Sequence, residues 1–410
     1  MTLLTALLLI LSFVALFLNI LPTQKSRRAT FVVSALGFSV FIFAYTEMLS
    51  ALDLLTSKLV WAGWLAFFSV NLAIIIKQKH WKIDFRKIAH FNILEVVLAV
   101  IFITTLYIAI IYPPTNYDSM TYHLPRIEHW IQNHSIHHYF TTIERQTKSA
   151  PFAEMCILQG RIMSGDNYLM NLVQCMAFGG SLIVISLICK HLKFNRQQQL
   201  IACVFFATLP TAIMEATSTQ TDMAVTFFIL CFVERLFVWK NRPTILNTLT
   251  LGAALGLSIL TKGTAYVILF PFVIYLAVFV LKNFRTYFAK AAIAAAIALT
   301  INAPHYTRNY LAYSEPLGKH EGTVSDFSLK SFLVTLPSNL YSNTPMPSKI
   351  FNKITDNGAL FDKYDLNNKT IFPYGIPAPQ YRWKRNFIYF NEDTARNPIH
   401  VCFILIAISV

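Results

Sequence analysis

The chain has 410 residues, of which 55% are hydrophobic and only 13% are charged, and its mean hydropathy is +0.50. In soluble domains about a quarter of all residues are charged. A smaller charged fraction is typical of polytopic membrane proteins, because charges are costly in hydrocarbon. The net charge of +14 could indicate nucleic-acid binding, but the basic residues are dispersed over short loops, which excludes a nucleic-acid partner.

Long apolar stretches predict the fold class, since a helix needs about 20 apolar residues to cross the bilayer core. Such stretches occur at 2–22, 29–49, 55–76, 88–112, 167–189, 200–217, 220–239, 244–260, 264–281 and 290–304. An eleventh begins near Pro398 and stops at Val410, so we expect a C-terminally truncated chain. The sequence predicts an all-α, polytopic transmembrane helical protein that forms one integral unit over 1–410, with large outer loops at 113–166 and 305–397.

The Lys and Arg residues of the short loops predict the orientation, because cytoplasmic loops are enriched in them. The loops on one side carry Lys25, Arg27, Arg28, Lys77, Lys79, Lys82, Arg86, Lys87, Lys190, Lys193, Arg196, Lys240, Arg242, Lys282, Arg285 and Lys290. The short loops on the other side carry only Lys58 and Lys262. We therefore expect 113–166, 217–222, 261–263 and 305–397 to share one extracytoplasmic face.

The first outer loop contains signals for short helices. Asp118 is placed like an N-cap, and Pro125 suits the first position of the next helix. Apolar residues then recur at helical spacing, which predicts an amphipathic helix in the membrane interface with Trp130 at headgroup depth. A further helix of the same character is predicted at 152–164.

Three carboxylates on the outer face are the candidate catalytic residues: Asp118, Glu154 and Asp222. A partly desolvated Asp118 at the membrane surface could act as a general base toward an acceptor hydroxyl, or it could only cap a helix. Together the carboxylates suit a site for hydroxyls or for a divalent cation, although no complete set of metal ligands is visible.

Cations near the outer ends of the spans are candidate ligands of a phosphate, or of lipid headgroups in general. They are Arg126, Arg145, Lys148, Lys262, Arg308 and Lys319. His123 is retained as a binding candidate because it lies close to Asp118. The histidines of the loop and the six cysteines show no zinc-ligand spacing, so no metal site is predicted.

Several short motifs resemble the bacterial membrane glycosyltransferases of the GT-C type (family 39), which are relatives of the protein O-mannosyltransferases and of the lipid A aminoarabinose transferase. They are N-Y-D-S-M-T-Y-H-L-P-R at 116–126, S-A-P-F-A-E at 149–154, T-Q-T-D-M-A at 219–224, T-K-G-T at 261–264, A-P-H-Y-T-R-N-Y at 303–310, S-E-P-L-G at 314–318 and N-E-D-T-A-R-N-P at 391–398.

The resemblance implies a polyprenyl-phosphate-linked sugar as donor, an extracytoplasmic glycan, lipid or protein as acceptor, and Asp118 as the catalytic base. The mannosyltransferases carry adjacent Asp and Glu in this loop, whereas Ser119 follows Asp118 here, so Glu128 or Glu154 could take the second role. We expect a glycosyltransferase of hexosyl or pentosyl groups in a bacterial inner membrane, in contact with membrane lipids. A secondary transporter or flippase of a lipid-linked sugar and a non-catalytic scaffold are the alternatives.

Overall fold

A computed structural model describes residues 1–78, 92–318 and 397–409. Four helices precede the first outer loop: α1 (Thr2–Ile20), α2 (Arg27–Ala51), α3 (Ser57–Gln78) and α4 (Ile93–Ile111). The loop contains a π-helical turn (Ser119–His123), α5 (Leu124–Gln132), α6 (Arg145–Lys148) and α7 (Phe152–Ser164). Eight helices follow among the described residues: α8 (Leu172–His191), α9 (Arg196–Ala207), α10 (Pro210–Glu215), α11 (Asp222–Asn241), α12 (Ile245–Thr261), α13 (Thr264–Lys282), α14 (Phe284–Tyr313) and α15 (Pro398–Ser409).

The predicted all-α membrane fold is confirmed. The described ranges contain no β-strand, and seven of their helices are long and apolar enough to cross a membrane. These seven are Thr2–Thr23, Arg27–Ala51, Ser57–Gln78, Ile93–Ile111, Leu172–His191, Thr264–Lys282 and Phe284–Tyr313. Each coincides with one of the ten apolar stretches in the sequence.

The other three predicted spans differ from the seven for separate reasons. The stretch 200–217 is not one helix, because α9 ends at Ala207 and α10 begins at Pro210. A proline disfavours helical geometry in the residue before it, which explains the break. Helix α11 has the length of a span but carries charged residues along it, and α12 is an apolar helix of 17 residues.

Polar contacts join the helices at two opposite ends. At the Lys- and Arg-rich end, Arg28 donates to Gln199 Oε1 at 2.8 Å, and Tyr287 donates to the carbonyl of Lys240 at 2.8 Å. At the other end, the hydroxyl of Thr2 hydrogen-bonds Asp166, the last residue of the first outer loop. These contacts agree with the alternation of loops read from the sequence.

The two helices predicted to be interfacial pack differently against the rest of the protein. Helix α7 has the predicted bounds, but most of its residues are buried because it packs against α1, α2, α3, α5, α8 and α12. In α5, Trp130 is only 3% exposed and lies under the guanidinium of Arg126, with 5.1 Å from Cζ to the ring centroid. Trp130 therefore packs against protein, and the interfacial position of the amphipathic α5 stays a prediction.

The start of the second outer segment also differs from the prediction. Residues 305–313 continue α14, which runs through Pro304 as one helix of 30 residues. The rest of that segment, 319–396, and with it the candidate Lys319, lies outside the described residues. The chain divides into two compact units, Met1–Ala207 with Glu215–Lys319, and Thr208–Met214 with His320–Val410. In the second unit, Asn397 donates to Thr211 Oγ1 at 2.8 Å.

Candidate active site

Asp118 lies between α4 and the π-helical turn and is half-buried. Its carboxylate makes no capping hydrogen bond, because Asn116 Oδ1 accepts from the amide of Ser119 at 2.6 Å instead. Asp118 therefore occupies the predicted N-cap position, but its side chain does not cap the turn. Its Oδ2 accepts a hydrogen bond from the hydroxyl of Tyr122 at 2.6 Å.

Tyr122 links Asp118 to a cation. Burial, followed by the hydrogen bond to Asp118, raises the pKa of Tyr122, so the phenol stays a hydrogen-bond donor at neutral pH. The exposed guanidinium of Arg145 lies over the Tyr122 ring, 5.8 Å from its centroid. An acid, a phenol and an arginine are thereby assembled at the surface of the loop.

A buried ionic cluster lies directly behind this group. Glu154 is 0% exposed, and its Oε1 lies 2.9 Å from His123 Nδ1 and 3.0 Å from a guanidinium nitrogen of Arg126. Burial acts to raise the pKa of Glu154, but Arg126 and the hydrogen bond from His123 outweigh it and lower the pKa below its ordinary value. Glu154 is therefore an anion without access to solvent.

The same cluster holds the segment that contains α6. Arg126 donates to the carbonyls of Thr147 at 3.0 Å and Ser149 at 2.5 Å. From within α6, Gln146 donates to the carbonyl of Thr121 at 2.8 Å and accepts from the hydroxyl of Tyr139 at 3.1 Å. The position of the turn that carries Arg145 and Lys148 is thus fixed by buried polar contacts.

Asp222 and Lys262 form an ion pair between the first turn of α11 and the end of α12. The Lys262 ammonium lies 2.8 and 2.7 Å from the two carboxylate oxygens, and both side chains are about one-third exposed. Three residues before Asp222, Thr219 donates to Ser119 Oγ at 2.6 Å. The 217–222 turn therefore contacts the residue that follows Asp118.

The remaining candidates have separate partners. Arg308 makes a two-pronged ion pair with Glu47 at 2.7 and 2.9 Å. Lys148 lies 3.6 Å from Glu144. Glu128 is the other candidate, beside Glu154, for the role of the acid that follows the Asp in the mannosyltransferases. It pairs with Arg161 at 2.7 Å.

The structure brings together polar segments that are far apart in the sequence. Within the first compact unit, the loop 113–166 contacts the 217–222 turn through Ser119 and the end of α14 through Thr147, whose hydroxyl lies 2.5 Å from that of Tyr313. The 261–263 turn joins the same group through the Lys262–Asp222 pair. Asp118 and Asp222 are in neighbouring segments but share no direct contact among those described.

Sequence reasoning did not single out Tyr122, Gln146 or Asn309. A signal for Tyr122 was present, because residues four apart on a helix face each other, and Tyr122 is four residues after Asp118. Gln146 and Asn309 gave no such signal, since their partners are distant in the chain. Within the described ranges no group of three or more His, Cys, Asp or Glu residues could hold a metal ion, and the six cysteines are free.

A family model matches part of the chain. Residues 157–307 match the model of the dolichyl-phosphate-mannose-protein mannosyltransferase family. The match covers less than half of the chain and confirms the resemblance to GT-C type glycosyltransferases, which together with the seven apolar helices supports a multi-pass membrane glycosyltransferase. It includes the motifs at 219–224 and 261–264 and the end of the first outer loop, 157–166, whereas Asp118 precedes it. No curated protein and no solved structure matches the chain.

Proposed function

We propose that this chain transfers a hexosyl or pentosyl group from a polyprenyl-phosphate donor to an acceptor hydroxyl at the extracytoplasmic face of a bacterial inner membrane. Asp118 takes the proton of the hydroxyl, and the resulting oxygen nucleophile attacks the anomeric carbon of the sugar. The bond between that carbon and the phosphate oxygen breaks, and the polyprenyl phosphate leaves with the electron pair.

The convergence of separate polar segments on the Asp118 loop is the observation that carries this proposal. A general base must reach the hydroxyl that it deprotonates, and Asp118 is half-buried, keeps contact with solvent and is in no ion pair with the described residues. Tyr122 orients the carboxylate by donating to one of its oxygens.

The other two candidate carboxylates take supporting roles in this proposal. Glu154 has no exposed surface, so it positions α6 through Arg126 and does not contact the substrate. Asp222 holds the ammonium of Lys262, which remains accessible enough to meet an anionic group.

Three cations suit the phosphate of the donor. Arg145 is exposed beside Tyr122, Lys148 lies one helical turn away in α6, and Lys262 lies between α12 and α13. Cations at this depth favour the negative charge that develops on the departing phosphate. Arg126 is buried in its ion pair with Glu154 and therefore serves the fold of the loop, whereas Arg308 is paired with Glu47 of α2.

A transporter or flippase of a lipid-linked sugar is the second candidate, and one observation favours it. Helix α11 contains a buried pair of Glu234 and Arg235, 2.5 Å apart, and buried charges within spans are typical of transport pathways. The pair contacts His191 at the last residue of α8, and so it lies toward the Lys- and Arg-rich end, away from the midplane site that transporters use.

The test is a transfer assay with the full chain in proteoliposomes, using a panel of radiolabelled polyprenyl-phosphate-linked sugars and an envelope extract as acceptor. We expect Asp118→Asn to lower the release of sugar from the lipid by at least about 100-fold, the lower range for a general base. Asp53→Asn is the matched control, because Asp53 is an exposed acid in the α2–α3 turn with a positive φ that Asn tolerates.

Wild-type release in Asp118→Asn protein that remains folded would exclude Asp118 as the base. Movement of the intact lipid-linked sugar across the bilayer, without release of the sugar, would favour the flippase instead.

A further inference from the structure

Two motifs near the end of α14, 303–310 and 314–318, have no role in the chemistry described above. The structure brings both against Lys148. Asn309, which is 0% exposed, donates from Nδ2 to the carbonyl of Lys148 at 3.3 Å. His305, one helical turn earlier, lies with its Nε2 3.3 Å from the same Nδ2.

Asn309 is held in this orientation by further partners. Its Oδ1 lies 2.8 Å from His138 Nε2, and its Nδ2 lies 3.2 Å from the carbonyl of Pro316. Burial lowers the pKa of His138 to about 4, so the ring is neutral at ordinary pH and can donate to the amide oxygen. The amide therefore joins the loop at His138, the backbone of Lys148 and the turn after α14.

Gly318 contacts the stem of the same lysine. Its φ is +83°, a conformation that favours glycine. A Cβ added there would come within 2.9 Å of Lys148 Cβ and 3.7 Å of Lys148 Cδ. The absence of a side chain at this position leaves room for the stem.

We propose that Asn309 and Gly318 are positioning residues for the Lys148 ammonium: Asn309 fixes the backbone from which it projects, and Gly318 provides the surface along which its stem lies. The ligand class is a phosphate monoester or diester on a lipid. This inference rests on the proposed function, in which Lys148 binds the phosphate of the donor.

The test measures phosphate preference, the ratio of the dissociation constants of farnesol and farnesyl phosphate for the purified full chain in phospholipid-free detergent. We expect Lys148→Ala, Asn309→Ala and Gly318→Ala each to lower this ratio by about tenfold, the effect of losing one charge-assisted contact. In a Lys148→Ala background, Gly318→Ala should have no further effect, because the ammonium that it displaces is already absent.

Gly165→Ala is the matched control. Gly165 also has a left-handed φ, +76°, but a Cβ there meets nothing within 4 Å, so it carries the same backbone strain without a contact to Lys148. Its phosphate preference should equal that of the unmodified chain. Asn309 is buried and has several partners, so Asn309→Ala could lower the yield of folded protein. Gly318→Ala then tests the position of Lys148 without removing those partners.

The outcomes separate this inference from the function on which it rests. An unmodified chain that binds farnesol and farnesyl phosphate equally would overturn the phosphate-linked donor, and the positioning roles with it. Three results would overturn the positioning roles alone. The phosphate preference could survive Gly318→Ala, or it could fall equally in Gly318→Ala and Gly165→Ala. Gly318→Ala could also lower it equally in the unmodified chain and in the Lys148→Ala chain. Displacement of farnesyl phosphate by an equal concentration of phosphatidylglycerol would assign the lysine to headgroups in general and overturn its place in donor binding.

Discussion

Two carboxylates of the first outer loop have opposite environments. Asp118 is half-buried and receives a hydrogen bond from a neutral phenol, whereas Glu154 is fully buried between His123 and Arg126. Removing one partner of a buried ion pair leaves the other charge uncompensated in a medium that solvates it poorly. The two acids should therefore respond to neutralisation in different ways: Asp118→Asn affects catalysis, and Glu154→Gln affects stability.

We expect Glu154→Gln to lower the free energy of unfolding by about 3 to 5 kcal/mol, because Arg126 would remain buried without its anion. The measurement is denaturant unfolding in detergent micelles. Glu128→Gln is the control, since the Glu128–Arg161 pair is 41% exposed at Glu128 and such pairs contribute at most about 1 kcal/mol. Equal losses in the two variants would show that burial of Glu154 does not govern the stability of the loop.

At the scale of helices, close packing of α12 on α14 depends on residues without large side chains. A Cβ at Gly252 would lie 2.5 Å from the carbonyl oxygen of Ala294, and one at Gly256 would lie 3.0 Å from Cα of Ala298. Small residues let helix backbones approach closely in membranes, where dispersion between packed surfaces replaces the hydrophobic driving force. Asn309, near the end of α14, contacts the backbone of Lys148. The packing of α12 on α14 therefore also supports the candidate site.

Gly252→Ala should cost about 1 to 3 kcal/mol, because the added methyl group meets main-chain atoms that cannot rotate away. The midpoint of thermal unfolding in detergent measures the effect. Gly263→Ala serves for comparison, since a Cβ there has open space around it. A Gly252→Ala protein as stable as Gly263→Ala would contradict the close approach of the two helices.

At the scale of the whole molecule, the contacts agree with a chain whose loops alternate between two ends of the first compact unit. The polar segments that contact the Asp118 loop are those that carry few basic residues, and the basic loops contact one another at the opposite end. The sequence-based orientation therefore predicts Asp118 on the extracytoplasmic side.

Single cysteines can test this orientation. Cysteine in place of Phe140, which is 96% exposed in the first outer loop, should react with a membrane-impermeant maleimide in intact cells. Cysteine in place of Lys193, between α8 and α9, should react only after the membrane is permeabilised. Labelling above that of the unmodified chain is the readout, and the reverse pattern would put Asp118 in the cytoplasm.

The sequence by itself determined the helical membrane class, seven of its ten predicted spans and the bounds of α7, because length and hydropathy are local properties that the bilayer selects directly. The role of Asp118 and the extracytoplasmic position of the polar segments stay predictions. Periodicity predicted an interfacial position for α7, which is mostly buried in protein, since an apolar face cannot reveal whether lipid or protein covers it. Only tertiary structure decided that Glu154 is buried, that Asn116 and not Asp118 caps the turn, and that Asn309 contacts Lys148. Those outcomes depend on partners distant in the chain, and no local pattern encodes which buried charge meets which.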